Sequence, residues 1–203
     1  MKYQLNHVYN EDCMKGMAEI PDKYFELAIV DPPYGIGNFV QSTGNVRGDA
    51  VEWNNYIPQK EYFEELRRIS VDRIIWGANY YNCFETGAIV WVKNQPMKDF
   101  SKAEIASCTQ HKKVEVYTQT WTNYVNTKKT KHPSEKPFLL YKWLLYNYAK
   151  EGDKILDTHV GSGSSIIACI DMGFEYMGFE IDEDYHKAMQ DRIYHFTRQG
   201  KLL

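Results

Sequence analysis

Asp31, Pro32, Pro33 and Tyr34 follow directly on the apolar run Tyr24-Phe25-Glu26-Leu27-Ala28-Ile29-Val30. A carboxylate, two rigid prolines and an aromatic ring therefore leave the end of an expected buried strand together. Each proline fixes its own φ, and the first holds Asp31 in an extended conformation. Neither ring nitrogen carries an N–H to compete for the neighbouring carbonyls. The result is a stiff, acceptor-rich corner beside a flat ring, suited to gripping a planar base that carries an exocyclic amine. With Pro near 5% of residues, an acid-Pro-Pro-aromatic tetrapeptide arises by chance in a chain of this size on the order of 1% of the time.

A second chemical group lies near the C-terminus. Lys154-Ile155-Leu156-Asp157-Thr158-His159-Val160-Gly161-Ser162-Gly163-Ser164-Ser165 reads as a short apolar strand, a Gly/Ser turn and the start of a helix through Ile166 to Ile170. Glycines let the backbone approach a ligand closely, and the helix start offers free N–H donors. Tyr176-Met177-Gly178-Phe179-Glu180 then forms an apolar run ending in an acid. A nucleotide-binding βαβ unit keeps its ribose-binding carboxylate there, about 20 residues beyond the first glycine. A lone Gly-x-Gly is a weak signal, whereas strand, glycine turn, helix, strand and acid in that order form a strong one.

These groups need a frame, and the chain supplies an alternating one. Leu5 to Tyr9 reads as a short strand, followed by a helix through Met14, Met17 and Ile20 and a turn at Pro21-Asp22. The stretch from Tyr34 to Pro58 lacks periodicity, as a functional loop does. Gln59 to Ser70 is expected as an amphipathic helix, with Tyr62, Phe63, Leu66 and Ile69 at helical spacing. Strands are expected at Arg73 to Gly77 and Ala88 to Val92, and two more between Ala103 and Val116. A strongly apolar helix at Phe138 to Ala149 and a closing helix at Tyr185 to Phe196 complete the series. Such alternation predicts an α/β fold: a doubly wound, mostly parallel sheet with helices on both faces, and ligands at the carboxyl ends of its strands.

The 203 residues suit one domain, 1–203. A net charge of −3 excludes a chain that coats nucleic acid by bulk electrostatics, so any such contact is local. Aromatic residues make up 15% of the chain, including 16 tyrosines, which suits stacking surfaces. Cys13, Cys83, Cys108 and Cys169 form no Cys-x-x-Cys pair, the histidines show no ligand spacing, and no membrane-length apolar run or leader is present. A reduced, cytoplasmic protein with neither metal nor membrane partner is the expectation.

With these pieces in place the chain resembles the amino-methylating DNA methyltransferases, S-adenosylmethionine-dependent enzymes that modify adenine N6 or cytosine N4. The motif order is the one with the catalytic tetrapeptide first and the glycine turn last, in a Rossmann-like methyltransferase fold. The resemblance makes Asp31, Pro32, Pro33 and Tyr34 the catalytic motif. It makes Asp157, Gly161, Ser162 and Gly163 the cofactor turn, and Glu180, with the adjacent Ile181, the ribose contact. Asp12 and Cys13, in Asn10-Glu11-Asp12-Cys13, match the segment that meets the cofactor adenine. His132-Pro133-Ser134-Glu135-Lys136-Pro137 looks like the motif ahead of the glycine turn, so Ser134 and Lys136 are expected at the cofactor's methionine end. Two departures stand out. Thr158-His159 replaces the family's Pro-Phe, so the aromatic contact to the cofactor is a histidine's or is lost. The segment 94–131 is short where many relatives carry a large target-recognition region, so recognition is short, relaxed or supplied by a second subunit, a homodimer among the options.

On this resemblance Asp31 accepts one amino N–H and the Pro32 carbonyl the other, while Tyr34 stacks on the base. The substrate is double-stranded DNA with its target base flipped out. Trp53 in the long loop, the aromatic pair Trp121 and Tyr124, and the basic Lys128, Lys129 and Lys131 are the candidate DNA contacts. Adenine N6 is the expected target, because the cytosine-N4 branch more often carries serine where this chain has Asp31. The other readings are a cytosine-N4 enzyme, an RNA or protein amide methyltransferase, or a non-catalytic regulator that binds cofactor and DNA. A place in restriction-modification or on a prophage fits each DNA reading.

Overall fold

The computed structural model describes residues 2–36, 56–94, 101–119 and 135–199. In chain order the elements are β1 (His7–Tyr9), α1 (Cys13–Ala18), β2 (Phe25–Val30), α2 (Lys60–Ile69), β3 (Ser70–Trp76), α3 (Ala78–Tyr81) and β4 (Gly87–Val92). They continue with β5 (Ala103–Cys108), β6 (Val114–Thr118), α4 (Phe138–Tyr148), β7 (Lys154–Asp157), α5 (Ser164–Met172), β8 (Glu175–Phe179) and α6 (Glu183–Gln199).

The strands form one eight-stranded sheet in the order β1-β8-β7-β2-β3-β5-β4-β6. All neighbouring pairs are parallel except those of β5, which runs against both β3 and β4. The mostly parallel α/β sheet expected from the alternation is therefore present, with one reversed strand. Both β5 and β6 come from the segment 94–131 and are built into this sheet.

Alternation along the strands divides the core into two layers. Ala28, Val30, Ile75 and Leu156 face α1 and α2, where Met17, Phe63, Leu66 and Ile69 cover them. Leu27, Ile29, Ile74, Trp76 and Ile155 face the other way, under Leu140, Leu144 and Leu145 of α4 and Ala168 and Cys169 of α5. Burial on both faces is why these strands read as continuous apolar runs.

Several boundaries differ from the sequence reading, for physical reasons. β3 begins at Ser70, three residues earlier than its apolar stretch, because Phe25 pairs with Ser70 and Thr109 takes up Asp72. The short α3 has no periodic signature to read. It is bounded by left-handed Gly77 and Asn82, at φ of 74° and 52°. No helix among the described residues is long and apolar enough to cross a membrane.

Candidate active site

The carboxyl ends of the parallel strands share one edge of the sheet, and the residues singled out by the sequence gather along it. Asp31 follows β2, Thr158 and His159 follow β7, Glu180 follows β8 and Asn10 to Asp12 follow β1. Because β7 lies between β8 and β2, the glycine turn sits next to the tetrapeptide. Because β5 is reversed, its first residues reach the same edge, which brings in Glu104.

Around the glycine turn the backbone is fixed by charge and by positive φ. Gly161 and Gly163 lie at φ of 53° and 82°, and a Cβ on Gly163 would stand 2.6 Å from Met189 Cγ. Only glycine meets both demands at Gly163. Glu180 accepts from the Gly161 N–H at 2.8 Å and from the Asp182 N–H at 2.9 Å, so this buried acid pins the turn directly. Burial nonetheless pushes its carboxyl up. Asp157 accepts from Ser165 Oγ at 2.5 Å and from the His159 N–H at 3.0 Å, while burial pushes it up to about 7. Asp12 caps α1 through Met14 N at 2.9 Å, beside the buried Cys13, whose thiol burial raises to about 12. Ile181, by contrast, is exposed.

Thr158-His159 has its own bonding. Tyr62 Oη lies 2.7 Å from Thr158 Oγ1, which lies 2.9 Å from His159 Nδ1. The Tyr62 ring packs edge-on against the imidazole at 5.4 Å. Burial lowers the imidazole to about 4, so it is neutral near pH 7.

The tetrapeptide corner is held more tightly than its sequence suggests. Tyr34 donates to Asp31 Oδ1 at 2.6 Å. Its ring stacks on Tyr80 at 4.9 Å and 17°, and a Cβ on Gly77 would come within 2.4 Å of the same ring. Tyr81 donates its hydroxyl to the carbonyls of Pro32 and of Pro33, the latter at 2.9 Å.

Lys136 lies here as well. Its ammonium pairs with Asp31 Oδ2, donates to Tyr34 Oη at 3.0 Å and meets Glu104 Oε2 at 3.0 Å, so each of its three hydrogens has an acceptor. Glu104 also pairs with Lys93. Asp31, Lys136, Glu104 and Lys93 thus form a chain of alternating charge. Lys136 Nζ lies 5.4 Å from the Trp76 ring centre and Lys93 Nζ 5.0 Å from that of Trp91.

Burial opposes ionisation of both acids. At Glu104 the two lysines outweigh it and hold the carboxyl down to about 2. At Asp31 burial, with Glu104 nearby, outweighs Lys136 and the carboxyl is raised. Burial works against the charge on Lys136 too, and the two carboxylates more than offset it.

The geometry therefore brings Asp31, Pro32, Pro33, Tyr34, Lys136, Asp157, His159 and the glycine turn with Glu180 to one edge. It sets Lys136 on the tetrapeptide. Ser134 and the proposed DNA contacts Trp53, Trp121, Tyr124, Lys128, Lys129 and Lys131 lie outside the described residues. Glu104, Tyr81, Tyr80 and Gly77 carry no motif and were not singled out. Only its being the one charged residue of β5 could have drawn notice to Glu104. Among the described residues no group of three or more His, Cys, Asp or Glu side chains is placed to hold a metal.

Known proteins share this fold. A family model described as DNA methylase matches residues 89–191. The type II methyltransferase M2.DpnII of Streptococcus pneumoniae is 22% identical over 235 residues, covering 91% of this chain and 88% of its own. The crystal structure of the M1.HpyAVI-SAM complex superposes with a TM-score of 0.63 at 17% identity, covering 92% of this chain and 98% of the other. PvuII DNA methyltransferase (cytosine-N4-specific) gives a TM-score of 0.61 at 9% identity, covering 95% and 91%.

Proposed function

We propose, from the premise that the chain belongs to the DNA methylase family, that it methylates the exocyclic N6 amine of a flipped-out adenine in double-stranded DNA. S-adenosylmethionine supplies the methyl group as a sulfonium, already a strong electrophile. The residues present fit that cofactor. Glu180 stands at the end of β8 where ribose hydroxyls are taken, and the Gly161 to Gly163 turn leaves room for close backbone approach. Asp12, Cys13, Asp157 and His159 line the same edge, and Ser134 belongs to the preceding motif.

The chemistry left to the protein is orientation and polarisation. An adenine amine is a poor nucleophile because its lone pair is delocalised into the ring. Asp31 and the Pro32 carbonyl are assigned to accept its two N–H bonds, which draws the nitrogen toward a tetrahedral shape. Tyr34 is assigned to stack on the base with the ring face opposite the one that Tyr80 covers. The amine proton passes to Asp31, whose raised carboxyl suits it to receive one. Since an amine paired in a duplex cannot present its lone pair, the base must leave the stack, at a cost of a few kcal/mol. Trp53, Trp121, Tyr124, Lys128, Lys129 and Lys131 are proposed to hold the surrounding DNA.

The observation that carries this reading is the adjacency of Asp31 on β2 to the glycine turn on β7, at one sheet edge. Adenine is favoured over cytosine by Asp31 itself: a carboxylate is a stronger acceptor than a serine hydroxyl and stabilises positive charge developing on the amine. Incubation of unmethylated duplex DNA with labelled cofactor, digestion to nucleosides and mass separation test it. N6-methyladenine is expected. A dominant N4-methylcytosine peak overturns the adenine assignment, and no label in DNA overturns the reaction.

A further inference from the structure

Both acceptors assigned to the target amine already have donors: Asp31 holds Lys136 and Tyr34, and Pro32 holds Tyr81. An arriving amine must share or displace them. Lys136 is buried, at 4% exposure, so it cannot retreat to solvent when Asp31 is taken. A buried ammonium without a counter-ion is strongly disfavoured. A second carboxylate, Glu104, stands 3.0 Å from Lys136 Nζ and is itself ion-paired with Lys93.

We propose that Glu104 is a positioning residue for the methyl transfer: it is the seat that retains Lys136 when the target amine engages Asp31, with Lys93 fixing that seat. This rests on the reading of Asp31 as the acceptor of an exocyclic amine. Without the base, Lys136 neutralises Asp31 and keeps the corner assembled. With the amine on Asp31, or its proton transferred there, the Asp31 charge is shared or lost and Glu104 becomes the full partner of Lys136. While Asp31 is ionised the four charges sum to zero; when it takes the proton, Glu104 is left as the one carboxylate shared by Lys93 and Lys136. Trp76 and Trp91 border the pair with rings that tolerate a cation, and their buried indole N–H groups have no hydrogen-bond partner among the described residues. No water or mobile chain is needed for the exchange, since Lys136 already touches both carboxylates.

Removing the Asp31 charge by Asp31→Asn imitates the occupied state and needs neither cofactor nor DNA. The Lys136 ammonium is followed by nitrogen-15 NMR in the full chain, its signal assigned by loss in Lys136→Met. In Asp31→Asn the signal is expected to remain protonated at neutral pH. In Asp31→Asn combined with Glu104→Gln it should be lost. Loss in Asp31→Asn alone, or survival in the double variant, overturns the proposal. A kinetic arm follows in otherwise intact protein: Glu104→Gln should lower kcat for methyl transfer on the order of 100-fold. Cofactor affinity by calorimetry should stay at the parent value, and Glu104→Asp should restore part of kcat. Parent kcat in Glu104→Gln overturns the proposal. If the parent protein transfers no methyl group to DNA, the functional reading fails, while the NMR arm still decides where Lys136 is held.

Discussion

Tyr81 reaches back from α3 to place one hydroxyl between two consecutive carbonyls, those of Pro32 and Pro33. Proline leaves these acceptors without a neighbouring ring N–H, so a donor must come from elsewhere in the chain. Tyr81 thereby organises the corner, and it would compete with the proposed substrate amine for Pro32. Tyr81→Phe is expected to lower unfolding free energy by about 1–3 kcal/mol, through unsatisfied carbonyls, while lowering KM for DNA. Denaturant melts and steady-state kinetics read the two effects, and a raised KM would contradict the competition.

Asp31→Ala should abolish methyl transfer and leave cofactor affinity close to that of the parent, because the carboxylate is proposed to serve the target amine. Lys136 keeps Glu104 as a counter-ion in this variant, so the fold should survive. Retained turnover with labelled cofactor would sink the assignment.

Glu180 joins the glycine turn to the end of β8 through the N–H groups of Gly161 and Asp182. Its replacement by alanine removes the proposed acceptor for the ribose hydroxyls and loosens the turn as well. Cofactor binding is expected to weaken by about 1.5–3 kcal/mol, the range for hydrogen bonds to a charged group. Calorimetry measures it, and unchanged affinity would count against the ribose role.

Asp157 and His159 have opposite effects on the pH dependence of stability. Asp157, raised to about 7, gives stability that is complete below the ordinary carboxylate range and lost as pH rises through about 7. His159, lowered to about 4, gives stability that is complete above the ordinary imidazole range and lost as pH falls through about 4. Between about 4 and 6.5 the two slopes cancel. His159→Phe removes one of them, so its stability relative to the parent should fall as pH rises across that window, by up to about 1.4 kcal/mol per pH unit. Denaturant midpoints taken at several pH values check this, and a constant difference would refute it.

If Lys128, Lys129 and Lys131 neutralise phosphates, replacing all three with alanine should flatten the dependence of log binding constant on log salt by up to about 3 units of slope. An unchanged slope would make them an ordinary solvated loop.

Much of this site could be read from the chain because local rules act within a few residues. The tetrapeptide behind β2 and the glycine turn behind β7 both declare a strand end, and strand ends of a parallel sheet meet at one edge. The helices α2 and α4 declared themselves through their apolar residues. Contacts set by long-range geometry were not legible. Nothing near Lys136 in sequence indicates that its ammonium reaches Asp31, a separation of 105 residues. Glu104 is one acid in a short strand, and its place depends on β5 being reversed, a property of sheet pairing that composition does not carry. Tyr81 sits in a four-residue helix whose boundaries are left-handed residues rather than a periodic pattern.

The reversed strand also constrains how the chain can vary. β5 is registered so that Trp91 faces Glu104 and Trp76 faces Ala106. Side chains alternate between the two faces of a strand, so sliding β5 by one residue would turn Glu104 to the opposite face and bring Ala103 or Ile105 in its place. Additions and deletions before Ala103 can therefore be absorbed only by the connection itself, leaving the strand fixed. An insertion between Asn94 and Ala103 that is absorbed in this way leaves Glu104 opposite Trp91 and in reach of Lys136.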